Sequence, residues 1–343
     1  MIVHGGAGDS CIEAQHQPAL VLDYALSRDA DPVALLRGTG LPPLADGAAL
    51  AALTGRAVTP LQYLQLLDNA MRLLDSADTS FMLGQQMLPG HDGAASHALL
   101  HAPTLRQALH ILTACARRLS PLLRPRFKEE GALAVLYWTD SYGAPSQLPA
   151  LVEMHMTALA ALCRWLAGER LPWRFCFNRA SPRHTEQHAA HLGGELRFNC
   201  YLDAMLIPSA WLDRPWPRGN ATAAALALRT AERDACTPPS LLDALYDYLL
   251  ERVRCAPTLD QAAADFGVSP ATMKRHLARH GSHFQAELDQ VRTHVALYLF
   301  QTRRADNDDV AAYLGFHDAA NFRRSFKRWT GQTPALLRDM LLT

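Results

Sequence analysis

The sequence predicts a two-part fold: an α+β front domain of helices around a small sheet, then an all-α back domain with two helix-turn-helix motifs joined by a long helix. Three observations carry this expectation. Residues 18–119 place apolar side chains at spacings of three and four, the period of a half-buried helix. After residue 130 the texture changes to short runs of aromatic and branched residues, which suit strands. From Thr258 onward the order helix, glycine turn, helix occurs twice, about fifty residues apart.

The front helices come first. In PLQYLQLLDNAMRLLDSA, Leu61, Leu64, Leu67, Met71 and Leu74 fall on one stripe, with Thr59 as N-cap and Pro60 at the first helical position. PTLRQALHILTACARRL repeats the device with Pro103 and Thr104. ALAVLYW (132–138), WRFCFN (173–178) and LRFNCYLDAMLI (196–207) read as strands, with a helix around Met154 to Leu166 between the first two. Pro and Gly collect in DRPWPRGN (213–220) and again in CTPPS (236–240), which places the domain boundary between them. The expected division is a flexible terminus over 1–17, a front domain over 18–217, a linker with a connecting helix over 218–239, and a back domain over 240–343.

The back domain repeats one plan. In TLDQAAADFGVSPATMKRHL (258–277), Thr258 caps a helix whose inner face is Leu259, Ala262, Ala263 and Phe266. Gly267 makes the turn, Val268 plugs the angle, and Ser269 with Pro270 starts a second helix that buries Met273 and Leu277. In DDVAAYLGFHDAANFRRSFKRWTGQTP (308–334), Val310, Ala311 and Leu314 face inward, Gly315 turns, Phe316 plugs and Asp318 caps a helix that buries Phe322 and Phe326. Between the units, Phe284, Leu288, Val291, Val295 and Leu299 line one stripe of a rod of about 27 Å. Such a spacer suits two helices entering successive major grooves, which lie about 34 Å apart.

Composition is that of a globular chain, 49% apolar and 8% aromatic. No run reaches the roughly 18 unbroken apolar residues of a membrane span, and MIVHGGAGDSCIEAQHQ has no signal-peptide pattern. A cytoplasmic address without a membrane partner is therefore expected. The seven cysteines (Cys11, Cys115, Cys163, Cys176, Cys200, Cys236, Cys255) are scattered and never form C-x-x-C, so reduced thiols are expected, with neither a disulfide frame nor a zinc site. Net charge is zero, yet from Ser269 onward eleven Lys and Arg stand against seven Asp and Glu. Neutrality is thus a sum over unlike halves, and the basic half fits a polyanion.

SPATMKRHLARHGSHFQAELDQVR and LGFHDAANFRRSFKRWTGQTP resemble the DNA-binding domain of the AraC/XylS family of bacterial regulators, over about residues 240–338. The resemblance implies base reading by Ala271, Lys274 and Arg275 in the first unit and by Ala320, Asn321 and Arg324 in the second. Side-chain chemistry agrees: an arginine pairs bidentately with guanine and an asparagine with adenine. Arg279, Arg323, Lys327 and Arg328 suit phosphate contacts instead.

GLPPLADGAAL with LQYLQLLDNA, HDGAASHALLHAPTLRQAL, LPWRFCFN and GELRFNCYLDAMLIP resemble the arabinose-binding-like domain of one branch of that family, which includes ornithine-responsive and virulence regulators. This implies effector sensing or dimerisation, with no effector residues transferable by motif. The expected partners are double-stranded promoter DNA, RNA polymerase, a small-molecule effector and a second copy in a homodimer. The alternative is an effector-independent regulator whose front domain dimerises or binds another protein.

Remaining features read as structural. His184, His188 and His191 share a helix face but lack a fourth ligand, so an exposed His-rich helix is expected rather than a metal site. VHGGAGDS reads as a flexible terminus, Lys128 as a solvated charge, and Tyr137, Trp138, Phe175 and Phe198 as core. No paired carboxylates, nucleophile elbow or metal set points to catalysis or to a cofactor.

Overall fold

The computed structural model describes residues 2–43, 53–233 and 238–337. Cys236 and Arg338, and part of the GLPPLADGAAL segment, lie outside them. The fold is the α+β front region and helical back region that the sequence predicts.

A strand pair opens the front domain, β1 (Ile12–Glu13) antiparallel to β2 (Ala57–Val58). Helices α1 (Gln17–Leu26) and α2 (Pro32–Leu36) precede α3 (Pro60–Leu74). Thr59 caps α3 by accepting from Gln62 N, and Gln62 returns the bond in a capping box, so local chemistry alone fixes this start. The buried face of α3 is rotated from the expected stripe. Tyr63, Leu64, Leu67 and Ala70 point inward, whereas Leu61 is 56% exposed.

Helices α4 (Thr79–Met87), α5 (Ala94–Leu100), α6 (Leu105–Ala114) and α7 (Ala116–Leu119) follow. Thr104 caps α6 through Gln107 N, so Pro103 stands before the cap rather than inside the helix. Helix α8 (Leu148–Ala167) is apolar and long enough by composition to cross a membrane, but it is mostly buried and packs along α4 as a core helix. Its approach is close enough that a Cβ on Gly84 would lie 2.5 Å from Met154 O.

The main sheet has the order β3-β4-β7-β5-β6, from β3 (Leu123–Glu130), β4 (Leu133–Asp140), β5 (Arg174–Cys176), β6 (Leu196–Arg197) and β7 (Ala204–Pro208). All pairs are antiparallel except β5 with β6. Strand β3 was not expected: LRPRFKEE carries charges at alternate positions and Pro125, a pattern that an edge strand tolerates. LRFNCYLDAMLI forms two strands rather than one, since Asn199 and Tyr201 take positive φ (59° and 56°) and bend the chain between them.

Side chains alternate across the sheet. Leu136, Trp138, Phe175, Met205 and Ile207 join the front core, whereas Val135, Tyr137, Cys176, Ala204 and Leu206 join a second core formed with the back domain. A strand covered on both faces reads as one continuous apolar run, and ALAVLYW is such a run.

Helix α9 (Glu186–His191) corrects the expectation of an exposed His-rich helix. Only His184, just before it, stays outside. His188 is 5% exposed and its Nε2 lies 3.1 Å from Glu153 Oε1, while His191 Nε2 meets Asp78 Oδ1 at 2.6 Å and stacks on Phe81. Helix α10 (Ala221–Arg233), read as a connector, packs on α5 and puts Ala224, Ala227, Leu228 and Ala231 into the front core. Among the described residues the cysteines are free thiols.

The back domain contains α11 (Leu241–Arg252), α12 (Leu259–Asp265), α13 (Pro270–Arg279), α14 (Phe284–Arg303), α15 (Asn307–Tyr313) and α16 (Ala319–Thr330). The start of the chain, expected as a flexible terminus, is held against it. Ile2 N donates to Asp265 O (3.0 Å), Gly5 N to Pro239 O (2.8 Å), and the His4 ring sits 5.9 Å from that of Phe266.

Candidate nucleic-acid interface

Each helix-turn-helix unit is built from locally encoded parts. Thr258 and Gln261 form a capping box on α12, and Gly267 takes φ 73° at the turn, a conformation that costs glycine nothing. Ser269 accepts from Thr272 N at 3.1 Å and Pro270 follows at the first position of α13. Ala262, Ala263, Met273 and Leu277 are fully buried, so small side chains on α12 let α13 approach closely.

The second unit repeats this with different residues. Asp306 and Asp309 make the capping box of α15, Gly315 turns at φ 73°, and Asp318 caps α16 by accepting from Asn321 N at 2.6 Å. That backbone N–H, with His317 beside it, holds the Asp318 carboxyl below its ordinary range. Phe322 and Phe326 are fully buried against Phe300 of α14.

What remains on the outer faces matches the sequence reading of accessibility. Ala271, Lys274, Arg275 and Arg279 are exposed on α13. Ala320, Arg323, Arg324, Lys327 and Arg328 are exposed on α16, and Asn321 is half-buried. Asn321 Nδ2 donates to Asp318 Oδ2 at 3.0 Å, and Arg324 Nη2 donates to Asn321 Oδ1. The Asn321 amide is thereby held in one orientation, and the Arg324 guanidinium is placed at its edge. Between the units, the 20 residues of α14 span about 30 Å. Its buried stripe includes Leu288, Val291, Val295 and Leu299, as expected.

A contact that the sequence did not reveal joins the two domains. Arg126 of β3 lies 3.8 Å over the Tyr246 ring of α11, donates to Thr139 Oγ1 at 3.0 Å and pairs with Asp247. Tyr246 OH lies 2.8 Å from His294 Nδ1 of α14 and 3.3 Å from Tyr137 OH of β4. Burial pushes the His294 imidazole down to about 3, so it is neutral at ordinary pH. At the end of α13, His280 Nδ1 donates to Tyr142 O at 2.9 Å, and a Cβ on Gly143 would stand 2.0 Å from His280 O. The available signals were the unbroken apolar texture of β4 and a tyrosine and histidine inside helical stripes. Neither identifies its partner from sequence.

Residues 30–216 match the description of the arabinose-binding domain of AraC transcription regulator, N-terminal, and residues 262–340 match a helix-turn-helix domain. The chain belongs to the AraC family of transcription regulators. The AraC-family ornithine utilization regulator of Pseudomonas aeruginosa is 29% identical over 285 residues, 81% of this chain and 84% of that protein. VqsM, a helix-turn-helix-type transcriptional regulator of the same organism, is 30% identical over 83 residues, 24% of this chain and 26% of its own length. Among solved structures, the transcriptional regulator CdpR from Pseudomonas aeruginosa is similar over 93% of this chain and 96% of its own, with 19% identity and a TM-score of 0.40. This AraC-family chain is thus a DNA-binding transcription regulator with an arabinose-binding-like front domain, from a family of regulators rather than enzymes.

Proposed function

We propose that the protein reads promoter DNA with both units of one chain under control of a small-molecule effector bound to the front domain. Arg275 and Arg324 read guanines, Asn321 reads an adenine, and Ala271, Lys274 and Ala320 line the same base-facing edges. Arg279, Arg323, Lys327 and Arg328 fix the register through phosphates. The observation that carries the reading is that both outer faces are basic and uncovered, on helices spaced by a rod close to one DNA turn.

The division into 18–217, 218–239 and 240–343 serves this reading, with α10 as an extension of the front core. A sensor acts only if its ligand binds the two domain arrangements unequally, and the shared Tyr137–Tyr246–His294 contact offers a two-domain surface for that difference. RNA polymerase as downstream partner, a homodimer through the front domain and a cytoplasmic location complete the proposal. Genomic mapping of binding sites for the full chain tests it. Enrichment at promoters, lost in the Arg275→Ala, Arg324→Ala double variant, is the expected result; enrichment that survives the double variant would refute the assignment.

A further inference from the structure

A cleft of about 210 Å³ opens in the front domain between β1, α1, the α6–α7 corner and the start of β3. Its volume lies below the roughly 300–1,000 Å³ of sites for drug-sized ligands, so its guest is a small metabolite. One end is cationic. Arg117 is exposed and Arg124 half-buried, and among the described residues neither guanidinium makes a hydrogen bond or an ion pair. Partial loss of solvent, and then the charge of Arg124, lower the Arg117 affinity for its proton.

The rest of the lining mixes charges, with Asp92, Glu13, His16 and Arg118. Asp92 is 3% exposed, yet among the described residues its carboxylate makes no hydrogen bond. It pairs with His16 Nδ1 only at 3.9 Å, and that nitrogen is buried without a hydrogen bond, because His16 turns its Nε2 to Glu13 at 2.8 Å. Glu13 is also engaged by Arg118 at 3.6 Å, which leaves Asp92 as the open acceptor. Buried polar groups are normally satisfied, so a carboxylate without a hydrogen bond, in one cleft with two guanidiniums that also lack one, calls for a guest with both charges.

We propose that this cleft is the effector site and that its ligand is a small amino acid, the carboxylate held by Arg117 and Arg124 and the ammonium by Asp92. The proposal rests on the reading of the protein as an effector-controlled regulator. A dicarboxylate would drive its second charge against Asp92, and a diamine would leave both arginines unmatched. Inorganic phosphate would satisfy the arginines alone.

Position supplies the coupling. An adjoining recess shares Arg117 and Arg124 and runs on to Tyr142, Ser240 and Asp243. Asp243 sits in the first turn of α11, where its N–H is capped by Ser240 and its carboxylate accepts from Ser141 Oγ at 3.1 Å. Burial holds the Asp243 carboxyl above its ordinary range, opposed by the charges of Arg126 and Arg124, and Arg117 feels the same carboxylate. A ligand carboxylate would therefore add a second negative charge to the recess that holds both guanidiniums and Asp243, next to the Tyr142–His280 contact that ends α13.

Calorimetric titration of the full chain with L-ornithine, L-glutamate, L-leucine, glutarate, putrescine and phosphate tests this, alongside promoter-DNA affinity in each ligand. The expected result is binding of at least one amino acid, about tenfold or more tighter than glutarate, putrescine or phosphate. Asp92→Asn and Arg124→Gln should each weaken it about tenfold or more, with Lys128→Ala unchanged. Asp92→Asn is nearly isosteric and removes no hydrogen bond, and matching melting curves verify its fold. Preference for glutarate or putrescine overturns the ligand class. If a ligand shifts DNA affinity equally in wild type and both variants, effector control stands and this cleft is overturned. If no compound binds, the site falls, together with control by small charged metabolites.

Discussion

Gly143→Ala probes the seam between the two domains. The residue has φ +74°, and an added Cβ would stand 2.0 Å from His280 O, a backbone atom that no rotamer change can move aside. The left-handed conformation costs a non-glycine residue about 1–2 kcal/mol. Relief of the clash requires the loop to leave α13, which breaks the 2.9 Å bond from His280 Nδ1 to Tyr142 O. His280 is only 7% exposed, and an unsatisfied buried donor costs about 1–3 kcal/mol. The expected loss is thus about 2–5 kcal/mol. Gly168→Ala is the matched control: φ is +77° and nothing lies within 4 Å of its added Cβ, so only the backbone cost of about 1–2 kcal/mol applies. The change in unfolded-chain entropy is common to both and cancels. Urea denaturation followed by tryptophan fluorescence measures the difference. Equal losses in the two variants would refute the seam.

Other outcomes follow from the same contacts. Lys327→Ala should weaken binding to all DNA sequences alike and reduce the slope of log affinity against log salt by about 0.9, measured by fluorescence anisotropy across salt concentrations. An unchanged slope would remove Lys327 from the phosphate contacts. Below pH 6.5 the chain should lose stability: His294 takes up a proton near 6.5 when unfolded but only near about 3 when folded, so the unfolded state binds the extra proton in between. The stability is full above pH 6.5 and falls by about 1.4 kcal/mol per unit below it from this residue. His294→Gln should flatten the pH dependence of urea midpoints by that amount between pH 6 and pH 4, and an unaltered profile would mean that His294 is not buried as a neutral group.

Local chemistry was the legible part of the fold. Thr59, Thr258, Ser269 and Asp318 each announce a helix start through a side-chain oxygen three residues before a waiting N–H, and all four bonds form. The two helix-turn-helix units and the exposure of their basic faces follow from such signals together with period. Long-range packing was less legible. Strand β3 went unread because its alternate positions are charged and carry no apolar run, and α10 looked like a connector because alanines do not declare which core they enter. His188 and His191 looked solvent-facing until Glu153 and Asp78, distant in sequence, came to meet them. The cleft residues share this limit: Asp92, Arg117 and Arg124 lie on separate elements, and none carries a local motif.

In the proposed complex α13 and α16 read bases from one chain. Selection of sites from a random DNA library, with the full wild-type chain and with Arg275→Ala, tests it most directly. Two short preferred segments about one helical turn apart are expected in the wild-type selection. With Arg275→Ala, preference should relax at one position of a single segment, at a cost of about 1–3 kcal/mol, while the other segment stays intact. A site preference identical in the two proteins would contradict it.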